Sequence, residues 1–204
     1  MTSESDVHGQ ETKGIPNERV FAAFSKAYTI TEYSISDNLD KRHELRKKTI
    51  SDDVSLTDDE KSDTIKLLSK RYDYDKVINN EGIKRICENC AQECLATLYC
   101  EHCVRNYLEA KFSNWTSNNP DIDDLIQKCQ LASIGPNKII EWIPYNNLEN
   151  VKYFTKGGFS EIYSAVWKDG HYNEWNSEKK QLERHGEEKV IVKRLENVKN
   201  ADRS

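Results

Sequence analysis

The chain has 204 residues, in which 30 Lys and Arg stand against 35 Asp and Glu for a formal charge of −5, and 36% of the residues are hydrophobic. No stretch approaches the roughly 18 consecutive apolar residues that cross a bilayer, and the first residues lack the basic-then-apolar pattern of a secretory signal. A membrane or secreted protein is therefore not expected, and the mild acidity argues against a nucleic-acid binder, which needs a basic surface to displace counterions from phosphates.

The cytoplasm is the expected compartment, with the nucleus as the alternative. A mean hydropathy of −0.85 means that much of the chain buries too little apolar surface to offset the entropy of ordering. Residues 1–56 read as a disordered tail. Ser, Thr, Asp and Lys dominate it, Phe21, Phe24 and Tyr28 make only a transient helical face, and Asp40 and Glu44 interrupt its basic residues. Residues 57–80 read as a helical segment. Thr57-Asp-Asp-Glu60 has the form of a capping box, which predicts a helix from Asp58 to about Arg71. Its narrow face of Ile65, Leu68 and Tyr72 needs a partner, and the cysteine-rich segment that follows is the nearest.

Residues 81–135 hold all six cysteines, five of them between Cys87 and Cys103. Cys87 and Cys90 form one pair with a two-residue gap, and Cys100 and Cys103 form another. Such a gap lets both thiolates of a pair converge on one ion from a tight turn, and two pairs complete a tetrahedral sulfur shell around Zn²⁺. Four sulfur ligands leave no open position, so the ion is expected to be structural. Rival chemistries fit less well. A disulfide scaffold belongs to an oxidising compartment, a thioredoxin-type site has one pair in a βαβ setting, and haem attachment needs His where Ala91 and Val104 stand. Cys94 or His102 could each replace one ligand in a Cys₃His shell; the simpler assignment puts Cys94 in the connecting hairpin and His102 on an exposed turn. Val104, Tyr107, Leu108 and Phe112 then predict a helix packed back on the zinc turns. Asn119-Pro120 starts a second helix whose Ile122, Leu125, Ile126 and Cys129 are expected in the core. Gly135-Pro136 ends it and marks a domain boundary.

Residues 136–204 change period. Val151–Phe154 and Ile162–Trp167 read as strands joined across Gly157-Gly158, and Asp169-Gly170 as a turn. A flexible insertion rich in Lys and Glu then leads to a third strand, Val190–Val192, ending at Lys193. The expected fold class is α+β, with a helical zinc module followed by a partial antiparallel sheet. A Gly-Gly turn alone is more often a plain hairpin than a phosphate site.

Its surroundings are more specific. Thr155-Lys-Gly-Gly-Phe-Ser-Glu-Ile-Tyr-Ser-Ala-Val-Trp167, with Val190-Ile-Val-Lys193 downstream, resembles the glycine-rich loop and third-strand lysine of the eukaryotic protein-kinase fold. Roughly residues 81–200 also resemble a family of fungal protein-kinase-like proteins in which a Cys-pair segment precedes a kinase domain. Asn114-Trp-Thr-Ser117, Asp121-Ile-Asp123 and Glu141-Trp-Ile-Pro-Tyr145 carry that likeness. The resemblance implies binding of Mg-ATP and phosphorylation of a protein substrate. By it, Gly157 and Gly158 let backbone approach the phosphates, Phe159 is the aromatic loop tip, Ser160 takes the third glycine's place, Ile162 covers the adenine and Lys193 pairs with the α- and β-phosphates. Thr155, Ser160 and Ile191 depart from the pattern and imply a stiffer loop and a bulkier pocket wall. The catalytic-loop Asp and Asn and the Mg²⁺-binding Asp of the family follow the third strand and have no counterpart in the 204 residues. The chain is therefore expected to be a kinase amino-terminal lobe truncated within strands 1–3 and inactive alone. The other class of function is a noncatalytic zinc-binding adaptor that recognises a protein partner.

Overall fold

The computed structural model describes residues 17–32, 38–158 and 160–195. Contacts divide the chain into two compact units between Tyr72 and Asp73. The fold is α+β, with five helices and three small antiparallel sheets. Among the described residues no helix is long and apolar enough to cross a membrane.

The first unit overturns part of the expected disorder. Residues 1–16 and 33–37 lie outside the described residues, but α1 (Glu18–Glu32) and α2 (Leu39–Ser51) are regular helices, joined by the first part of α3 (Asp58–Asn79). Small residues on α1 allow close approach, so Ala23 and Ala27 are buried with Ile50 and Leu68, and Phe24, Tyr28, Leu56 and Ile65 close the cluster. On α2 the buried positions are Leu39, His43, Arg46 and Ile50. That spacing is helical, yet polar residues fill two of the four places, which disguises the period in the sequence. The Arg46 guanidinium lies 3.6 Å from the Tyr28 ring centroid and donates to Thr31 Oγ1 at 2.8 Å, so the charge is buried with partners. The predicted capping box is present. Thr57 N–H donates to Glu60 Oε2 at 2.9 Å and Glu60 N–H to Thr57 Oγ1 at 3.2 Å. Ile65 and Leu68 pack on α1 and α2, not on the cysteine segment, and Tyr72 stacks on His43 and donates to Asp40.

The second unit holds the cysteines and the sheets. A two-stranded ribbon, β1 (Arg85–Ile86) and β2 (Glu93–Cys94), precedes α4 (Glu101–Glu109) and α5 (Pro120–Leu131). Asn119 caps α5 as predicted, its side chain accepting from the Asp121 and Ile122 amides. The buried face of α5 is Ile126 and Gln130. Ile122 and Leu125 are exposed and Cys129 is half-buried, so the expected core face is narrower than the sequence pattern. Three longer strands, β3 (Leu148–Lys156), β4 (Ser160–Trp167) and β7 (Glu188–Leu195), form a sheet in the order β3-β4-β7. Between β4 and β7 the expected flexible insertion is a hairpin, β5 (Tyr172–Asn176) and β6 (Gln181–Arg184). Its Leu182, Tyr172 and Trp175 pack with Ala96, Tyr99, Val104 and Leu108, so the hairpin closes the core of the cysteine segment.

That docking also removes the boundary expected at Gly135-Pro136, since residues 73–195 fall in one unit. A Cβ at Gly135 would meet the Tyr99 hydroxyl at 2.8 Å, so this glycine is a packing contact. Gly170 is required more strictly. It has φ +60, and a Cβ there would lie 2.0 Å from the Gly186 carbonyl oxygen.

His43 gives the first unit a pH dependence. Burial, reinforced by Lys47, lowers its pKa to about 4, and its Nδ1 is buried without a hydrogen-bond partner. The unfolded chain takes up a proton near the ordinary value of about 6.5, which the folded chain refuses. Stability is therefore full above that value and falls as pH drops toward 4, by about 1–3 kcal/mol. Thermal melts across this range should show a steeper loss for the native chain than for His43→Phe, which keeps the stacking on Tyr72; parallel curves would refute the assignment.

Candidate functional site

The sulfur cluster is assembled from two unlike pieces. Cys87 and Cys90 sit on the turn between β1 and β2, closed by Ala91 N–H to the Cys87 carbonyl at 2.8 Å and Cys87 N–H to the Gln92 carbonyl at 2.9 Å. Cys100 is the N-cap of α4 and Cys103 lies in its first turn, so the second pair is presented by a helix start and not by a second hairpin turn. A helix start favours negative charge.

The ligand atoms of Cys87, Cys90, Cys100 and Cys103 all lie within 4.8 Å of one another, and the group can hold a metal ion. Cys87 Sγ is 3.6 Å from Cys103 Sγ, and Cys90 Sγ is 3.7 Å from Cys100 Sγ. A tetrahedral shell with bonds of ~2.3 Å has sulfur–sulfur edges of about 3.8 Å, so the cage already has the right size. These separations are far from the ~2.05 Å of a disulfide, and all six cysteines are free. Burial opposes ionisation at Cys87, yet the Cys90 and Asn89 amides and the neighbouring thiols bring it down to about 7. Burial pushes Cys103 up to about 11 and Cys100 up as well. A divalent cation at the centre of the four sulfurs would draw the remaining protons off them. Asn89 donates to Cys103 Sγ at 3.3 Å, a polar support that the sequence did not reveal.

The segment between the cysteines, residues 95–99, has no regular secondary structure, so its backbone groups need other partners. Three charged side chains supply them. Asp73 accepts from the Thr97 and Leu98 amides at 2.7 and 2.8 Å. Arg85 donates to the carbonyls of Ala96 at 2.8 Å and Tyr99 at 2.6 Å, and Glu101 accepts from the Leu95 amide at 2.7 Å. Trp175, from the hairpin, packs on the sulfur cluster and meets Tyr107 edge-on at 5.9 Å. Cys94 is not among the four. It groups with Cys100 and Glu101. His102 Nε2 lies 3.1 Å from the Glu93 carbonyl on the exposed side, away from the ligand set.

The second candidate lies at the Gly157–Ser160 turn. Lys156 pairs with Glu161, and the Gly157 amide donates to the Ser160 carbonyl at 2.7 Å, so the turn is tight. Phe159 lies outside the described residues. Ile162 pairs with Thr155 on one side and Lys193 on the other, and Ser164 pairs with Ile191. Cross-strand partners share a face, so Thr155, Ile162, Ile191 and Lys193 line one side of the sheet. Lys193 lies two residues along the ladder from Ser160, or about 7 Å. Neither glycine is at positive φ. A Cβ at Gly157 would make ordinary contact with Ser160 Oγ at 3.4 Å, and one at Gly158 would meet nothing within 4 Å.

Ala91 carries a local strain that can be tested. It directly follows the first Cys pair at φ 56, the left-handed region that costs an L-residue about 1–2 kcal/mol. Replacing it by Gly relieves the strain at some cost in unfolded-chain entropy, so Ala91→Gly should stabilise the second unit by up to about 1 kcal/mol. A lower melting temperature for Ala91→Gly would contradict the strained turn.

Compared against known protein families, curated proteins and solved structures, the chain has no match.

Proposed function

We propose that residues 73–195 combine a structural Zn²⁺ centre with a nucleotide-binding sheet of the protein-kinase type. Cys87, Cys90, Cys100 and Cys103 ligate the zinc. An all-sulfur, tetrahedral cage suits Zn²⁺ and not the hard, oxygen-seeking Mg²⁺ or Ca²⁺. No ligand position stays open for substrate, so the ion's work is to hold β1, β2 and α4 together.

One observation carries the nucleotide reading: the β4–β7 register, which pairs Ile162 with Lys193. In this reading the Lys193 ammonium meets the α- and β-phosphates of Mg-ATP, while Ile162 and Ile191 cover the adenine. Gly157 and Gly158 leave the turn's backbone open to phosphate oxygens. Their lack of a side chain answers no need of the turn itself, which supports a role toward something that approaches from outside. By the resemblance to protein kinases the wider activity is protein phosphorylation. The proposal extends to nucleotide binding and assigns no residue to the phosphoryl-transfer step.

A noncatalytic adaptor is the second reading. It is favoured by the exposure of Tyr153 (60%), Phe154 (68%) and Ile191 (60%), which offers apolar sheet surface to a protein partner.

Two measurements test these assignments. After dialysis against metal-free buffer, elemental analysis should find about one tightly held Zn²⁺ per chain, from one four-thiolate shell. The Cys87→Ser, Cys90→Ser double variant should lose it, and undiminished zinc in that variant would refute the ligand set. Titration with a fluorescent ATP analogue and Mg²⁺ should show saturable binding that Lys193→Ala weakens at least about tenfold, a loss of about 1.4 kcal/mol. If binding is absent at millimolar nucleotide, or unchanged by Lys193→Ala, the adaptor reading replaces the kinase-type one.

A further inference from the structure

The fifth clustered cysteine has chemistry of its own. Cys94 ends β2 and is 1% exposed, Cys100 caps α4, and Glu101 opens that helix with 6% exposure. The sulfurs of Cys94 and Cys100 and a carboxylate oxygen of Glu101 lie within 4.8 Å of one another. Glu101 Oε1 accepts the Leu95 amide, but Oε2 is buried without a hydrogen-bond partner. A carboxylate oxygen taken out of water with no donor is costly, and a cation beside it removes that cost. The position is reachable. A cavity of about 270 Å³ lined by Lys84, Glu93, Cys94, Glu101, His102 and Arg105 opens onto it.

We propose that Cys94, Glu101 and the shared Cys100 form a second divalent-metal site beside the four-cysteine centre, with the Cys100 thiolate bridging two ions of the Zn²⁺ class. This proposal rests on the zinc reading of the four-cysteine centre. Four thiolates over-compensate one dication by two charges, so the neighbourhood of that centre is electronegative and attracts a further cation. Two thiolates and a carboxylate suit zinc, and the fourth position faces the cavity, where a water completes the shell. On binding, Cys94 gives up its thiol proton to solvent and its sulfur lone pair to the metal. Because one ligand is shared and one is water, the second ion is held less tightly than the first and exchanges through the cavity.

The test is an anaerobic Co²⁺ titration of the metal-free full chain, followed by absorption and electron paramagnetic resonance. The first equivalent should give tetrahedral thiolate bands. The second should add intensity while the resonance of the first falls, because a bridging thiolate couples the two spins. Cys94→Ala and Glu101→Gln should keep the first equivalent with its bands and lose the second. Gln keeps an oxygen for the Leu95 amide, and the intact first-equivalent spectrum serves as the folding control. Saturation of the native chain at one equivalent would overturn the proposal, leaving the Cys94 thiol as Glu101's own partner; so would retention of both equivalents in the two variants. Absence of thiolate bands at the first equivalent would instead remove the four-cysteine reading, so the two failures are separable.

Discussion

Four sulfur atoms drawn within 4.8 Å of one another are the constraint on which residues 73–195 depend. The apolar core beside them is small: Ala96, Tyr99, Val104, Leu108 and Leu182, with a few half-buried neighbours. A core of that size does not hold a ribbon of two-residue strands by itself, and small modules of this kind draw their stability from a metal or another cross-link. The cage also decides what surrounds it. Because Cys100 must be brought close to the first pair soon after β2 ends at Cys94, the five residues between them follow an irregular path, and every one of those residues has a main-chain group held by Asp73, Arg85 or Glu101. Burying Asp73 and Glu101 and half-burying Arg85 is expensive in isolation, and here each is matched to backbone groups that would otherwise be orphaned.

The hairpin of β5 and β6 connects this centre to the three-stranded sheet within the same unit. Trp175 lies on the sulfur cluster, while Arg184 at the other end of the hairpin binds Glu141 at 2.6 Å, donates to the Gly170 carbonyl at 2.6 Å and stacks 3.9 Å from the Tyr172 ring centroid. One short element therefore touches both the sulfur cluster and the turn that leads out of β4. Burial raises the pKa of Glu141, against the pull of Arg184, so the ion pair sits in a poorly solvated place where its geometry matters. Any loosening of the sulfur cluster would loosen the surface against which Trp175 packs and, through it, the hairpin inserted between β4 and β7.

What was legible in the sequence was local chemistry. The two Cys pairs, the Thr57–Glu60 box and the Asn119-Pro120 helix start each act within a few residues, and each is present. The strand positions and the Gly157 turn were legible for the same reason. Features that depend on distant partners were not. His43 and Arg46 occupy core positions because Tyr72, Tyr28 and Thr31 are there to receive them, and without those partners the segment reads as a solvated charged run. Trp175 and Leu182 stand in a stretch of Lys and Glu whose composition suggests a loop, and only their docking on Val104 and Leu108 makes it a hairpin. The converse error occurs on α5, where Ile122 and Leu125 have core-like spacing but no surface to bury them. Leu125 is 61% exposed.

The two glycines of the β3–β4 turn show how far the geometry carries the functional argument. Glycine enlarges the conformational freedom of the unfolded chain and so costs stability wherever the folded backbone does not need it. Gly170 answers such a need, with its positive φ and the Gly186 carbonyl against its α-carbon. Gly157 and Gly158 show no such need: neither is at positive φ, and there is room for a Cβ at both. In the proposed nucleotide reading, the compensation for that cost comes from what the turn meets. A polyphosphate fits that reading, because bare amides can approach its oxygens and Lys193, paired with Ile162 two residues along the ladder, carries the opposite charge. A protein partner gripping Tyr153 and Phe154 would call for neither the bare turn nor the lysine, and that difference gives the nucleotide reading precedence over the adaptor.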